Sequence, residues 1–163
     1  MKIIHISFHI QEVEDITELT AAERQLIEAS QQMVENAYAP YSEFQVGAAL
    51  LLGNGQIIKG SNQENAAYPS GLCAERVAIF SASANYPGVE MKAIAVSAKT
   101  VHHQSDQPVS PCGACRQVLL EYEFKQKQPL KMFLVGSSGK IYLVEKVSDL
   151  LPLSFTAHEL GRL

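Results

Sequence analysis

Apolar and polar residues alternate at the start of the chain. Ile4, Ile6, Phe8 and Ile10 fall between His5, Ser7, His9 and Gln11, the period of two that a half-buried strand produces. His5 and His9 share the polar face, but four residues of strand hold them well apart, so neither is given a metal role. Thr20 followed by Glu23 reads as a capping box, and Leu26, Ile27, Met33 and Val34 form a helical stripe to about Asn36, with Pro40 as the stop. Residues 44–52 are apolar and strand-like, and Asn54-Gly55 turns them into a second strand over 56–60. A helix is expected after Cys73, carrying Val77, Ala78, Ile79 and Ala82 inward, then a buried strand over 91–97 and a helix after Pro111. Residues 131–135 and 141–144 are two more strands joined by the turn formers Gly136, Ser137, Ser138 and Gly139. Residues 99–110 are polar enough for a surface loop. Hairpin, helix, strand, helix, strand, strand predicts an α/β fold in three layers, α/β/α, with a mixed sheet of about five strands plus the N-terminal one.

Composition narrows what such a domain does. The 163 residues are 47% hydrophobic, enough for one compact core. A formal net charge of -4 and a sequence pI near 5.7 give no basic footprint for nucleic acid, so a small substrate is expected. His5, Ser7 and His9 interrupt the apolar start, which is not the unbroken stretch of a signal peptide, and no run is long enough to span a membrane. The odd count of 3 cysteines disfavours a disulfide framework and fits reduced thiols in the cytoplasm.

Those cysteines carry the candidate chemistry. Cys112 and Cys115 form a C-x-x-C pair after Pro111, and Cys73 stands two residues before Glu75. A lone C-x-x-C serves redox or structural sites equally. Three ligands without a fourth instead leave tetrahedral zinc an open position, as a hydrolytic centre requires. Both cysteine groups sit at expected helix starts, where free N–H groups favour thiolate. Three thiolates give the zinc site a formal charge of about -1, which Arg76 and the helix N–H groups would offset. Arg76 in a surface salt bridge, Glu75 as an ordinary first-turn acid, and three cysteines simply filling space are the plainer readings.

The chain resembles the small, three-cysteine, homotetrameric cytidine deaminases. The resemblance rests on Cys73-Ala74-Glu75-Arg76, on 111–117 (Pro-Cys-Gly-Ala-Cys-Arg-Gln), on Tyr41-Ser42 through 44–49, on Asn62 with Glu64-Asn65-Ala66, and on Leu150-Leu151-Pro152 with Phe155. It implies hydrolysis of cytidine and deoxycytidine to uridine and deoxyuridine with release of ammonia. Cys73, Cys112 and Cys115 would hold one zinc per chain, making a water nucleophilic at neutral pH. Glu75 would take that water's proton, pass it to N3 of the pyrimidine and supply the departing amine. Asn62 and Glu64 would bind the ribose hydroxyls, Ala74 the cytosine edge through its backbone, and Phe44 the pyrimidine face. Phe155 would reach the ring from a neighbouring subunit, so that active sites are shared within a homotetramer. Phe44 as core packing and Asn62 as a hairpin-end turn residue remain open.

The resemblance divides the chain into an extension, residues 1–17, expected as a strand and given no role, and one catalytic domain, residues 18–163. Gln63 stands where relatives usually carry Val or Ile, and the loop with His102 and His103 looks longer than usual. A deaminase of another cytosine-bearing small molecule, of the blasticidin type, would keep zinc and Glu75 but should lose the Asn62/Glu64 pair. A non-catalytic zinc module would not need Glu75, and polynucleotide editing is disfavoured by the acidic pI.

Overall fold

The computed structural model describes residues 1–100 and 107–161. Its elements run β1 (Gln11–Val13), α1 (Ala21–Val34), β2 (Phe44–Leu52), β3 (Ile57–Ser61), α2 (Ala74–Asn85), β4 (Met91–Thr100), α3 (Gly113–Gln126), β5 (Lys131–Val135) and β6 (Ile141–Val144). The six strands form one sheet in the order β1-β6-β5-β4-β2-β3. β4 and β5 are parallel, with α3 as their crossover, and the other neighbours are antiparallel.

Alternation along the strands divides the core in two. Ala48, Leu50 and Leu52 of β2 join Ile94, Val96, Met132 and Leu134 beneath α2 and α3, with Ala78, Ile79 and Leu119 packed on them. Ala49 and Leu51 point the other way, to Ala93, Ala95, Phe133 and the Leu26 and Ile27 side chains of α1. The result is the three-layer α/β/α fold with a mixed sheet. α1 is pinned to β4 by a buried hydrogen bond of 2.7 Å between the Ser30 and Ser97 hydroxyls. Two glycines set the helix spacing: a Cβ at Gly47 would stand 2.2 Å from the Ser30 carbonyl of α1, and one at Gly60 2.5 Å from the Ala74 carbonyl of α2.

This topology creates the site. β3 and β4 both run antiparallel to β2, so they point the same way, and each leads into a helix on the same face. The starts of α2 and α3 therefore meet at one end of the sheet.

Several elements depart from expectation. The N-terminal strand is Gln11–Val13, not the alternating segment before it. β6 ends at Val144, opposite residue 10, so it offers no ladder to earlier residues, and residues 1–10 are all exposed. α1 ends at Val34, well before Pro40, and Val77 is half-buried rather than in the core. β4 extends to Thr100, because β2 pairs with it as far as Phe44↔Thr100. This takes the first two residues of the expected loop into the sheet. His102 and His103 lie outside the described residues.

Candidate active site

Cys73 and Cys112 are the N-cap residues of α2 and α3, and neither side chain makes a capping hydrogen bond. Cys115 follows Cys112 by three residues and so shares its face of the helix. The three sulfurs lie within 4.8 Å of one another, with Cys73 Sγ and Cys112 Sγ 3.8 Å apart. Zinc–sulfur bonds of about 2.3 Å in a tetrahedron require sulfurs roughly 3.8 Å apart, the spacing of the Cys73 and Cys112 sulfurs, so the cluster suits zinc. Cys115 is buried, Cys73 half-buried and Cys112 exposed, which leaves one side of the cluster open.

Charge on the thiols is shared unequally. A hydrogen bond from Cys115, assisted by Arg76 and Cys112, lowers the Cys73 pKa to about 5 against the opposing effect of burial. The same hydrogen bond, then burial and the nearby Glu75 charge, push Cys115 up. Arg76 directs Nη2 toward Cys73 Sγ at 3.7 Å and the Gly71 carbonyl at 3.5 Å, while its Nε is buried without a hydrogen-bond partner in the described protein.

Glu75 is 4% exposed in the first turn of α2, with its carboxyl in hydrogen-bonding contact with Cys115. Burial raises its pKa, and its own backbone N–H opposes the rise. A buried carboxyl in contact with a sulfur of a three-thiol cluster is near enough to exchange protons with a water bound there. Ala74, fully buried, turns its carbonyl to Gly60.

Asn62 and Glu64 lie on the wall of a cavity of about 460 Å³ that also reaches Cys73, Arg76, Tyr41 and Tyr68. The Asn62 amide bridges β2, with Oδ1 accepting from Val46 N at 2.8 Å and Nδ2 donating to the Phe44 carbonyl at 2.9 Å. Glu64 accepts from Tyr41 N at 2.8 Å, from Ser42 N at 3.2 Å and from the Ser42 hydroxyl, which together lower its pKa, the Ser42 hydroxyl most. Each side chain holds its own loop in place while its remaining lone pairs and, for Asn62, its second N–H stay available to a ligand.

Phe44 is not among the residues lining this cavity; it borders a separate hollow with Val34 and Lys99. Phe155 is 60% exposed and also lies outside the cavity wall. Its carbonyl accepts from Gln117 Nε2 of α3 at 2.8 Å, and Arg116 bonds the Pro111 carbonyl at 2.8 Å and the Leu150 carbonyl at 2.9 Å. Arg116 and Gln117 thereby tie the C-terminal segment to the start of α3. Sequence reasoning assigned no role to them, nor to Tyr41 and Tyr68, whose rings stand 6.0 Å apart at the cavity mouth. Their signal was two tyrosines beside Pro40 and Pro69, turn residues that expose what they flank.

The family model for the cytidine and deoxycytidylate deaminase zinc-binding region matches residues 20–128, which hold all three cysteines. The chain belongs to this deaminase family. A cytidine deaminase of Halalkalibacterium halodurans is 45% identical over 136 residues, 83% of this chain and 96% of that protein. The crystal structure of cytidine deaminase from Burkholderia pseudomallei superposes with a TM-score of 0.71 at 44% identity, covering 84% of this chain and all of the other. A blasticidin-S deaminase of Bacillus cereus is more distant, at 29% identity over 138 residues. The cysteine cluster of this deaminase-family chain is therefore a zinc-binding group, and the family match leaves residues 1–19 outside it.

Proposed function

We propose that the protein is a zinc-dependent hydrolase that converts cytidine and deoxycytidine, with one water, to uridine and deoxyuridine and ammonia, as in pyrimidine salvage. The observation that carries this reading is the buried Glu75 carboxyl against a cluster of three, not four, zinc-ligating thiols. Zinc held by Cys73, Cys112 and Cys115 supplies Lewis acidity that makes a water nucleophilic near neutral pH. Glu75 accepts one proton of the attacking water and hands it to N3 as C4 is attacked, then takes the second from the hydroxyl now on C4 and delivers it to the amine as the C4–N bond breaks, leaving the uridine carbonyl and ammonia. Arg76 offsets the thiolate charge from its place beside Cys73. Asn62 and Glu64 receive the sugar hydroxyls, and the Ala74 backbone the cytosine edge. Their presence together on one cavity wall favours a nucleoside over a blasticidin-type substrate.

The reading extends to the assembly. Residues 18–163 form the catalytic domain and residues 1–17 an extension. Phe155, exposed and outside its own cavity, serves a neighbouring subunit in a homotetramer, and Phe44 packs on the pyrimidine face. Thiols kept free for metal require a reducing compartment, so the enzyme is read as cytoplasmic. Among the described residues, no helix is long and apolar enough to cross a membrane.

The test is direct. Zinc-loaded protein mixed with cytidine should lose the cytosine ultraviolet band as uridine accumulates. Zinc-loaded protein that leaves both cytidine and deoxycytidine unchanged overturns the proposal.

A further inference from the structure

The segment before β1 has the pattern of a strand and, among the described residues, no strand beside it. Ile4, Ile6, Phe8 and Ile10 share one face, and with Ile3 they are exposed by between 42% at Phe8 and 79% at Ile4. Isolated exposed apolar residues are ordinary on a protein surface, but a row of four on one face of an extended segment is a patch that water solvates poorly. The segment leads directly into β1, an outer strand of the sheet whose edge away from β6 is unpaired among the described residues. Such an edge extended by an apolar strand is a template for strand addition.

We propose that residues 2–12 pair with the same residues of a second copy of this chain, as antiparallel strands related by a two-fold axis at Ser7. The sequence is self-complementary in that register. Ile6 falls opposite Phe8, Ile4 opposite Ile10 and Lys2 opposite Glu12, all on the apolar face, while His5 falls opposite His9 on the polar face. Each apolar residue of the row meets an apolar partner, and each end of the row closes on opposite charges. Glu12 already meets Lys140 Nζ at 3.0 Å at an exposed site, so its carboxylate is held at the rim of the paired strands. A slip of one residue would set apolar residues against polar ones, and moving the axis to Phe8 would place Ile4 against Glu12. The charge pattern of the ends and the continuity with the sheet edge make a second copy the occupant, in preference to a lipid surface or an unrelated protein. The pairing lies outside the family match and is independent of the proposed catalysis.

The test uses the zinc-loaded full chain carrying Ser7→Cys, with unaltered protein as the control for the three native thiols. Residues opposite one another at a two-fold axis of antiparallel strands are close enough for a disulfide. A disulfide-linked pair of chains should form in a mild thiol–disulfide buffer. Adding Ile6→Asp and Phe8→Asp should slow its formation by about tenfold or more, since paired charges replace the apolar contacts. Zinc content and circular dichroism unchanged in that variant show that the domain remains folded. No linked pair, or one that forms equally fast with both aspartates present, overturns the proposal.

Discussion

Helix starts on the two faces of the sheet are built differently. α1 begins at Thr20, whose hydroxyl accepts from Glu23 N at 3.3 Å while the Glu23 carboxylate accepts from Thr20 N at 2.9 Å. α2 and α3 begin at Cys73 and Cys112, and neither makes a side-chain cap. A hydroxyl or carboxamide cap stabilises a helix by about 1 kcal/mol, so two such contacts are forgone on the face that carries the sulfurs. The same backbone position thus serves stability on one face and metal ligation on the other. α3 recovers its anchorage at the far end, where the buried Glu123 carboxylate accepts from Leu130 N and Val147 N, both at 2.9 Å, and from Ser148 N at 3.2 Å.

The largest effect expected at the uncapped starts is on chemistry. Glu75→Gln keeps the carboxyl's shape but not its proton transfer, and should lower cytidine turnover on the order of a hundredfold or more while zinc content is unchanged. Near-normal turnover would remove Glu75 from the mechanism. The anchorage at the far end of α3 should register as stability instead. Glu123→Ala leaves two buried and one half-buried N–H groups without an acceptor and should cost about 3 kcal/mol in urea unfolding. A loss well under 1 kcal/mol would mean that water replaces the carboxylate.

What the sequence disclosed follows the same division between local and distant contacts. β2, β5 and β6 begin and end where their apolar runs meet turn residues, and the cap of α1 is legible because capping chemistry spans only three or four residues. The cysteine cluster was legible too, since spacing and the absence of a fourth ligand both point to one metal. Glu123 was not, because its partners lie 7, 24 and 25 residues away, although a carboxylate on the buried stripe of Leu119 and Leu120 was a usable signal. Phe44 shows the limit of alternation: the pattern gives the strand but not that its first residue borders a hollow other than the one lined by Asn62 and Glu64. The N-terminal segment has a strand's pattern, and pattern alone does not supply the neighbouring strand that pairing needs.

Exchanging the roles of the two kinds of helix start sharpens the comparison. Cys112→Ser removes a ligand and supplies a capping hydroxyl. Zinc content should fall well below that of the unaltered protein. In chelator-treated protein, where the metal no longer contributes, the same variant should be more stable than the unaltered chain by about 0.5–1 kcal/mol. A variant that is less stable without metal would show that the thiol cluster itself supports the start of α3, and that Cys112 is not an uncapped position in the sense that Thr20 is a capped one.

The effect at the capped start is of similar size, and it depends on pH. Burial opposes the charge on Glu23, but its hydrogen bonds from Thr20 and the Lys131 ammonium 3.6 Å away outweigh burial and lower its pKa below the ordinary 4.5. A carboxylate whose folded pKa is depressed stabilises the protein above its unfolded pKa, and loses that contribution as pH falls through the folded value. Thr20→Ala or Glu23→Gln should therefore cost about 1 kcal/mol at pH 7, with the difference from the unaltered protein narrowing below 4.5 for Glu23→Gln. Parallel urea titrations at neutral and acid pH measure it. A Glu23→Gln cost that is constant across that range would assign the stabilisation to packing of the side chain, and the α1 start would then owe no more to its carboxylate than α2 and α3 owe to a cap.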